Sequence, residues 1–327
     1  MPRKKNPPRL TQPPTPLEQA FSHLRHPAHP TQTVSVRWLL SAAAVSVLVA
    51  ALCAWAVLCF LFWQGSWQLL YHPDSGITRT PASANLAFEP IEFAPNDSGV
   101  SQLAGWWIPA SSGAPYTRFT VLYLHSQDGN LSATIDDLAF LHSVGLNVFA
   151  VDYRGYGQSQ FARPNETRWI EDAGFALTYL TETRHIPLNA IVLHGKALGA
   201  NLALEFAAAH SNLAGVILDQ PIDAPMSAVF TDPRSAFVPA HLLARDRYDA
   251  DAAASALHIP SLWLENLQSA SATQSAANSS ATPQAYIRIS TRKTFVWLNA
   301  HNPEIEAQRS AALTRWLDDL SVNPARP

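Results

Sequence analysis

The run from Trp38 to Trp63 contains no charged residue and is apolar almost throughout. It is long enough for a helix that crosses a bilayer, whose hydrocarbon core of ~30 Å takes about 20 such residues. A cleaved secretory leader is the competing reading, but its apolar stretch is about 7 to 15 residues, which disfavours it here. Trp38, Trp63, Trp67 and Tyr71 supply aromatic side chains suited to the two interfaces. Ahead of the run, Arg3, Lys4, Lys5, Arg9, Arg25 and Arg37 stand against Glu18 alone, a surplus of five positive charges. The positive-inside rule therefore predicts a cytoplasmic N-terminus and places the remaining chain on the other side of the membrane. Because the whole chain carries −3, that remainder is acidic by about eight charges and lacks the basic footprint of a nucleic-acid binder. The partner implied by the run is the lipid bilayer itself.

These signals divide the chain. Residues 1–36 form a Pro-rich, basic tail with too little apolar content to fold. Residues 37–66 form the membrane helix and 67–84 a tether through Leu69-Leu70-Tyr71-His72-Pro73. Residues 85–320 form the globular domain, with a short cap at 221–258, and 321–327 a tail. The two cysteines, Cys53 and Cys59, both lie in the membrane run, so the domain has no disulfide and depends on its core. A domain of about 250 residues buries enough surface for that.

Within the domain, apolar strands alternate with amphipathic helices. Asn85–Ala94 and Leu103–Ile108 read as a leading antiparallel pair, in which Trp106 and Trp107 are packing residues. Thr120–His125 reads as a buried strand; Leu131, Ile135, Leu138 and Leu141 fall at helical spacing before Gly145; Asn147–Asp152 is the next strand. Ile170, Ala173, Leu177 and Leu180 mark a further helix, and Ile191-Val192-Leu193 a strand. A later strand covers Ile259–Leu264, followed by a Ser/Ala-rich loop from Ser269 to Pro283, and Ile305, Leu313, Trp316, Leu317 and Leu320 mark the last helix. This order predicts an α/β domain with a mostly parallel, doubly wound sheet and helices on both faces. The strand at Ile191 runs into Gly195-Lys196-Ala197-Leu198-Gly199 and then an Ala/Leu-rich helix, where glycines two positions either side of a strained residue relieve collisions at a sharp turn.

The motifs Leu122-Tyr123-Leu124-His125, Val151-Asp152-Tyr153-Arg154-Gly155-Tyr156-Gly157-Gln158-Ser159, Gly195–Gly199 and Asn299-Ala300-His301-Asn302 give the segment from Tyr71 to Leu320 a resemblance. It resembles the α/β-hydrolase superfamily, in particular membrane-anchored bacterial members of its serine-peptidase and acylglycerol-lipase-like branch. The resemblance implies the α/β-hydrolase fold and a Ser, Asp/Glu and His triad in that chain order. Ala197 then stands at the nucleophile position and has no hydroxyl. His301 takes the base position. Ser269 aligns approximately with the acid position, where no aspartate stands. Glu265 is a weak substitute and Asp219 another, although either equally reads as a surface carboxylate. The resemblance implies an oxyanion hole of main-chain N–H groups, from Leu198 and from Ser126 or Gln127; Ser126 occupies a place where the family commonly has glycine. Lys196 is expected to point away from the acyl site, and Ser126 as a displaced nucleophile would need His301 to reach across the hole.

No metal-ligand cluster, phosphate loop or dinucleotide fingerprint occurs, so no cofactor is expected. The expectation is a membrane-anchored hydrolase-fold protein that acts by binding or scaffolding, its pocket taking an acyl, lipid or peptide-like ligand without turning it over. The alternative is a hydrolase of esters, amides or lipids that works through a non-standard constellation using His301.

Overall fold

The computed structural model of the chain describes residues 16–17, 34–267, 283–299 and 304–322. The membrane run forms one helix, α1 (Val36–Gly65), apolar on every side, with Phe62 its only buried residue. It is long and apolar enough to cross a membrane. A helix apolar all round and this exposed is compatible with a single-pass membrane anchor. The chain divides within this helix into two units, Met1–Ala54 and Trp55–Pro327, and the sheet belongs to the second.

Ten strands are described: β1 (His72–Pro73), β2 (Glu89–Pro95), β3 (Ser101–Ile108), β4 (Thr120–Leu124), β5 (Asp128–Gly129), β6 (Asn147–Asp152), β7 (Ile191–Lys196), β8 (Gly215–Asp219), β9 (Ser261–Leu267) and β10 (Lys293–Asn299). Eight of them form one sheet in the order β2-β3-β6-β4-β7-β8-β9-β10, and β1 and β5 form a separate short pair. The β2–β3 and β3–β6 pairings are antiparallel and the rest of the large sheet is parallel.

Around the sheet lie α2 (Ile135–Val144), α3 (Glu166–Thr178), α4 (Leu198–Ala208), α5 (Ser227–Phe230), α6 (Ala240–Leu243), α7 (Ala250–Ala256), α8 (Gln284–Arg288) and α9 (Ile305–Val322). Alternate residues of each strand feed opposite cores, as the two-residue period of a strand requires. Leu122 and Leu124 join Leu193 and residues of α3, α4 and α7 on one face. Val121 and Tyr123 join Val192, Ile217 and residues of α2 and α9 on the other. Both faces are covered, which is why the central strands read as unbroken apolar runs. Asn130, Asn165 and Asp249 cap the turns or helices that follow them by accepting from Ser132, Arg168 and Ala252 N–H groups.

The structure departs from the sequence expectations at several places. The leading strand starts at Glu89 because a one-turn helix at Pro81–Ala84 ends in Asn85 with φ 56°. The helix through Ile170 ends as α-helix at Thr178 and widens into a π-type turn over Tyr179–Thr183 that still buries Leu180. β9 begins at Ser261, since Pro260 has no N–H for the ladder, and runs on to Leu267, so Glu265 lies inside the strand. The edge strand β10 was not anticipated; of its residues only Leu298 is fully buried, leaving too little apolar alternation to read. The cap at 221–258 consists of α5, a 3₁₀ turn at Pro233–Phe237, α6 and α7. Ser269, with residues 268–282, and His301 lie outside the described residues.

Candidate functional site

At the end of β7 the chain reverses through Ala197, whose backbone sits at φ 51° and ψ −119°. That region is costly for a residue with a Cβ, on the order of 1–3 kcal/mol, and persists only where the surroundings enforce it. Here they do. The Ala197 N–H donates to the Asp219 carbonyl at 2.9 Å. A Cβ at position 195 would lie 2.1 Å from the Gly199 carbonyl oxygen and 2.5 Å from Ala200 Cα, and one at position 199 would lie 2.3 Å from the His125 carbonyl oxygen. Glycine at both offsets is therefore a steric requirement of backbone packed directly on backbone. The structure thus sets the Ala197 methyl at the apex of a sharp strand-to-helix turn at the carboxyl ends of the parallel strands.

The Leu198 N–H, first in α4, points at the Gln127 side chain and donates to its Oε1 at 3.3 Å. Gln127 is held in turn: its Nε2 donates to Asp128 at 3.0 Å, and its carbonyl accepts from the Tyr156 hydroxyl and the His72 N–H at 2.9 Å each. The Ser126 hydroxyl donates to the Asp128 carbonyl at 3.3 Å, so its polar contact is within its own loop. Beneath that loop His125 is fully buried, with ring centroids of Tyr153 and Tyr156 at 4.5 and 5.2 Å, and burial pushes its imidazole down to about 4. Asp152, 3.5 Å from His125 Nε2, accepts from the Leu131 N–H at 2.9 Å, and burial pushes its carboxyl up to about 7. These groups pin the loop to β6; the motifs ending in His125 and starting at Val151 carried them in the sequence, without their contacts.

Lys196 points away from the turn and binds Asp137 Oδ2 at 2.6 Å. Asp137 also accepts from the Tyr123 hydroxyl at 3.0 Å and from Arg309 Nη1 at 2.9 Å, while Arg309 Nη2 reaches Asp219 at 2.7 Å. Burial alone would raise the Asp219 carboxyl, but the neighbouring His194 imidazole, 3.7 Å away, and the Arg309 and Lys196 cations bring it down to about 2. Asp219 is thus a buried member of this network rather than a surface carboxylate. Glu265 is half-buried, and burial, reinforced by Asp223 and Asp219, pushes it up to about 8. Such a shift opposes the ionised form that a triad acid needs to stabilise an imidazolium. Trp106 is buried against Phe88, and Trp107 carries the Arg184 guanidinium 4.9 Å from its ring centre.

Alongside α4, the cap leaves an open cleft of about 580 Å³ bordered by Asn201, Ile222, Asp223, Tyr248, Asp249 and Trp263. Asn201 clasps the first cap residues, donating to the Ile222 carbonyl and accepting from its N–H, both at 2.9 Å. Among the described residues no group of His, Cys, Asp and Glu is placed to hold a metal ion.

Residues 118–274 match the serine aminopeptidase S33 family of hydrolases. The chain is 33% identical to the uncharacterized protein YfhR of Salmonella typhimurium over 136 residues, 41% of this chain and 44% of that one. It is 27% identical to the uncharacterized protein Rv2307c of Mycobacterium tuberculosis over 247 residues, 74% of this chain and 84% of that one. The chain spans about half the length of the YfhR proteins it matches, 44% to 52%. Among solved structures, the esterase Pf2001 of Pyrococcus furiosus superposes with a TM-score of 0.55 at 18% identity, covering 76% of this chain and 98% of that one. Two antiparallel leading strands, a parallel sheet with its crossover at β4 and β6, and a sharp turn after β7 give this chain the α/β-hydrolase fold.

Proposed function

We propose that this chain is a membrane-anchored binding protein on a hydrolase fold, its N-terminus cytoplasmic and its domain on the other side, which takes an acyl, lipid or peptide-like ligand without hydrolysing it. The observation that carries the reading is Ala197: the strained turn is kept at φ 51°, and a methyl stands where a nucleophile's oxygen would be. Removing a triad nucleophile costs on the order of a million-fold in rate and leaves roughly a thousand-fold over water from binding and the oxyanion hole. The Leu198 N–H still donates to an amide oxygen, the Gln127 side-chain Oε1, at 3.3 Å. A ligand carbonyl would take the same donor by displacing an uncharged side chain.

The test is equilibrium titration of the full chain in detergent with a 4-nitrophenyl acyl ester and with a monoacylglycerol, product release being followed in the same cell. Saturable binding of at least one, with no release above the buffer rate, is expected. Binding of neither, or turnover, overturns the reading, and turnover supports the hydrolase alternative built on His301.

A further inference from the structure

The geometry points to a second membrane contact: the cap turn at Pro233–Phe237 and the following α6 rest on the bilayer, with Phe237 and Leu242 entering its interface. This rests on α1 being a spanning helix. The contact that fixes the depth lies wholly within the second unit. Trp55 Nε1, on the side of α1, donates to the Phe237 carbonyl at 3.0 Å. At 1.5 Å per residue this places the cap turn about 15 Å below the end of α1 at Gly65.

Two independent arguments put that level in lipid. Arg37 closes the other end of the apolar run, and a hydrocarbon core of ~30 Å reckoned from there, about 20 residues, reaches to about Val57. Beyond Trp55 the helix goes on exposing apolar side chains, among them Leu58, Phe60 and Leu61 at 51%, 54% and 59%, a surface suited to lipid. A polypeptide segment held against Trp55 therefore lies at the membrane boundary.

The chemistry of the turn fits that place. Phe237 is 71% and Leu242 84% exposed, two large apolar side chains on one short stretch of the cap. The Phe237 carbonyl, which would be left without a partner in an apolar layer, receives the Trp55 indole N–H, and indoles favour this depth. The Arg234 guanidinium pairs with Asp232 in the same turn at 2.7 Å, which lowers the cost of bringing either near lipid. Nearer the end of α1, Arg245 lies 4.0 Å over the Trp63 ring, at the level where headgroups meet water.

The experiment uses the full chain with Cys53→Ala and Cys59→Ala, reconstituted in phosphatidylcholine vesicles. Single cysteines for a bimane reporter replace Leu242, Phe237, Leu48 in α1, and Val100 in the β2–β3 hairpin. Each reporter is quenched by lipid carrying a shallow nitroxide and, separately, by aqueous iodide. Reporters at 242 and 237 are expected to be quenched several-fold more by nitroxide lipid than the one at 100, and several-fold less by iodide. Lipid quenching at 48 with full iodide access at 242 and 237 overturns the cap contact and leaves the spanning helix standing. Absence of lipid quenching at 48 removes the spanning helix and the cap contact with it.

Discussion

The two faces of strand β7 solve different problems with neighbouring residues. On one, Gly195 and Gly199 let backbone pack on backbone and force Ala197 into its turn. On the other, His194 and Lys196 join Asp137, Asp219, Arg309 and Tyr123 in a buried ionic network between the sheet, α2 and α9. The first face is shaped by the absence of side chains and is indifferent to whether position 197 carries a hydroxyl. The second depends on side chains whose charges must balance. The geometry of the turn therefore does not depend on a hydroxyl at position 197, because backbone packed on backbone holds it.

The largest effect expected from breaking this contrast is on the glycine side. Gly199→Val sets atoms where a Cβ alone already lies 2.3 Å from the His125 carbonyl, and should cost about 4 kcal/mol or more, read as loss of a cooperative denaturant transition. On the ionic side, Arg309→Met removes the cation shared by two buried carboxylates and should cost about 3–5 kcal/mol. It should also shift acid unfolding. The folded Asp219 value of about 2 lies below that of an unfolded aspartate, so the network's stabilisation is full above the unfolded value and is lost as pH falls towards 2. Without Arg309 the Asp219 value rises, and the acid midpoint should move to higher pH; an unchanged midpoint would make the network incidental.

Smaller effects sharpen the comparison at the site itself. Gln127→Ala frees the Leu198 N–H and should tighten acyl-ligand binding by about 1 kcal/mol, roughly fivefold, measured by titration. Weaker binding would mean that Gln127 contacts the ligand instead of holding its place. Glu265, raised to about 8 in the fold, binds its proton more tightly folded than unfolded. Its contribution is therefore present at low pH and lost as pH rises from the unfolded value through about 8. Glu265→Gln should flatten the stability profile across that window and leave stability below it little changed.

What the sequence disclosed follows the range of the forces involved. The turn at Ala197 and the strand Asn147–Asp152 were legible because glycine offsets and apolar runs are local statements. The direction of Lys196, away from the acyl site, was implied by the family resemblance, but its partner was not: Asp137 and Arg309 are brought together across 172 positions, and nothing in either neighbourhood announces the pair. β10 escaped because an edge strand with one fully buried residue has almost no period to detect. Glu265 was expected at a strand end and lies within the strand, since the ladder to β10 extends it to Leu267. Gln127 was read for its main-chain N–H; that its side-chain amide accepts from Leu198 depends on a loop packing that no residue pattern encodes.

The central claim is that the turn after β7 is complete apart from one oxygen atom. Treating the full chain with a fluorophosphonate probe, beside Ala197→Ser and Ala197→Ser/His301→Ala, tests it most directly. The account predicts no labelling of the native chain, labelling of Ala197→Ser, and a fall when His301 is also removed. Labelling of the native chain would contradict it by revealing a nucleophile elsewhere, and an unreactive Ala197→Ser in a folded protein would show that more than the hydroxyl has been lost.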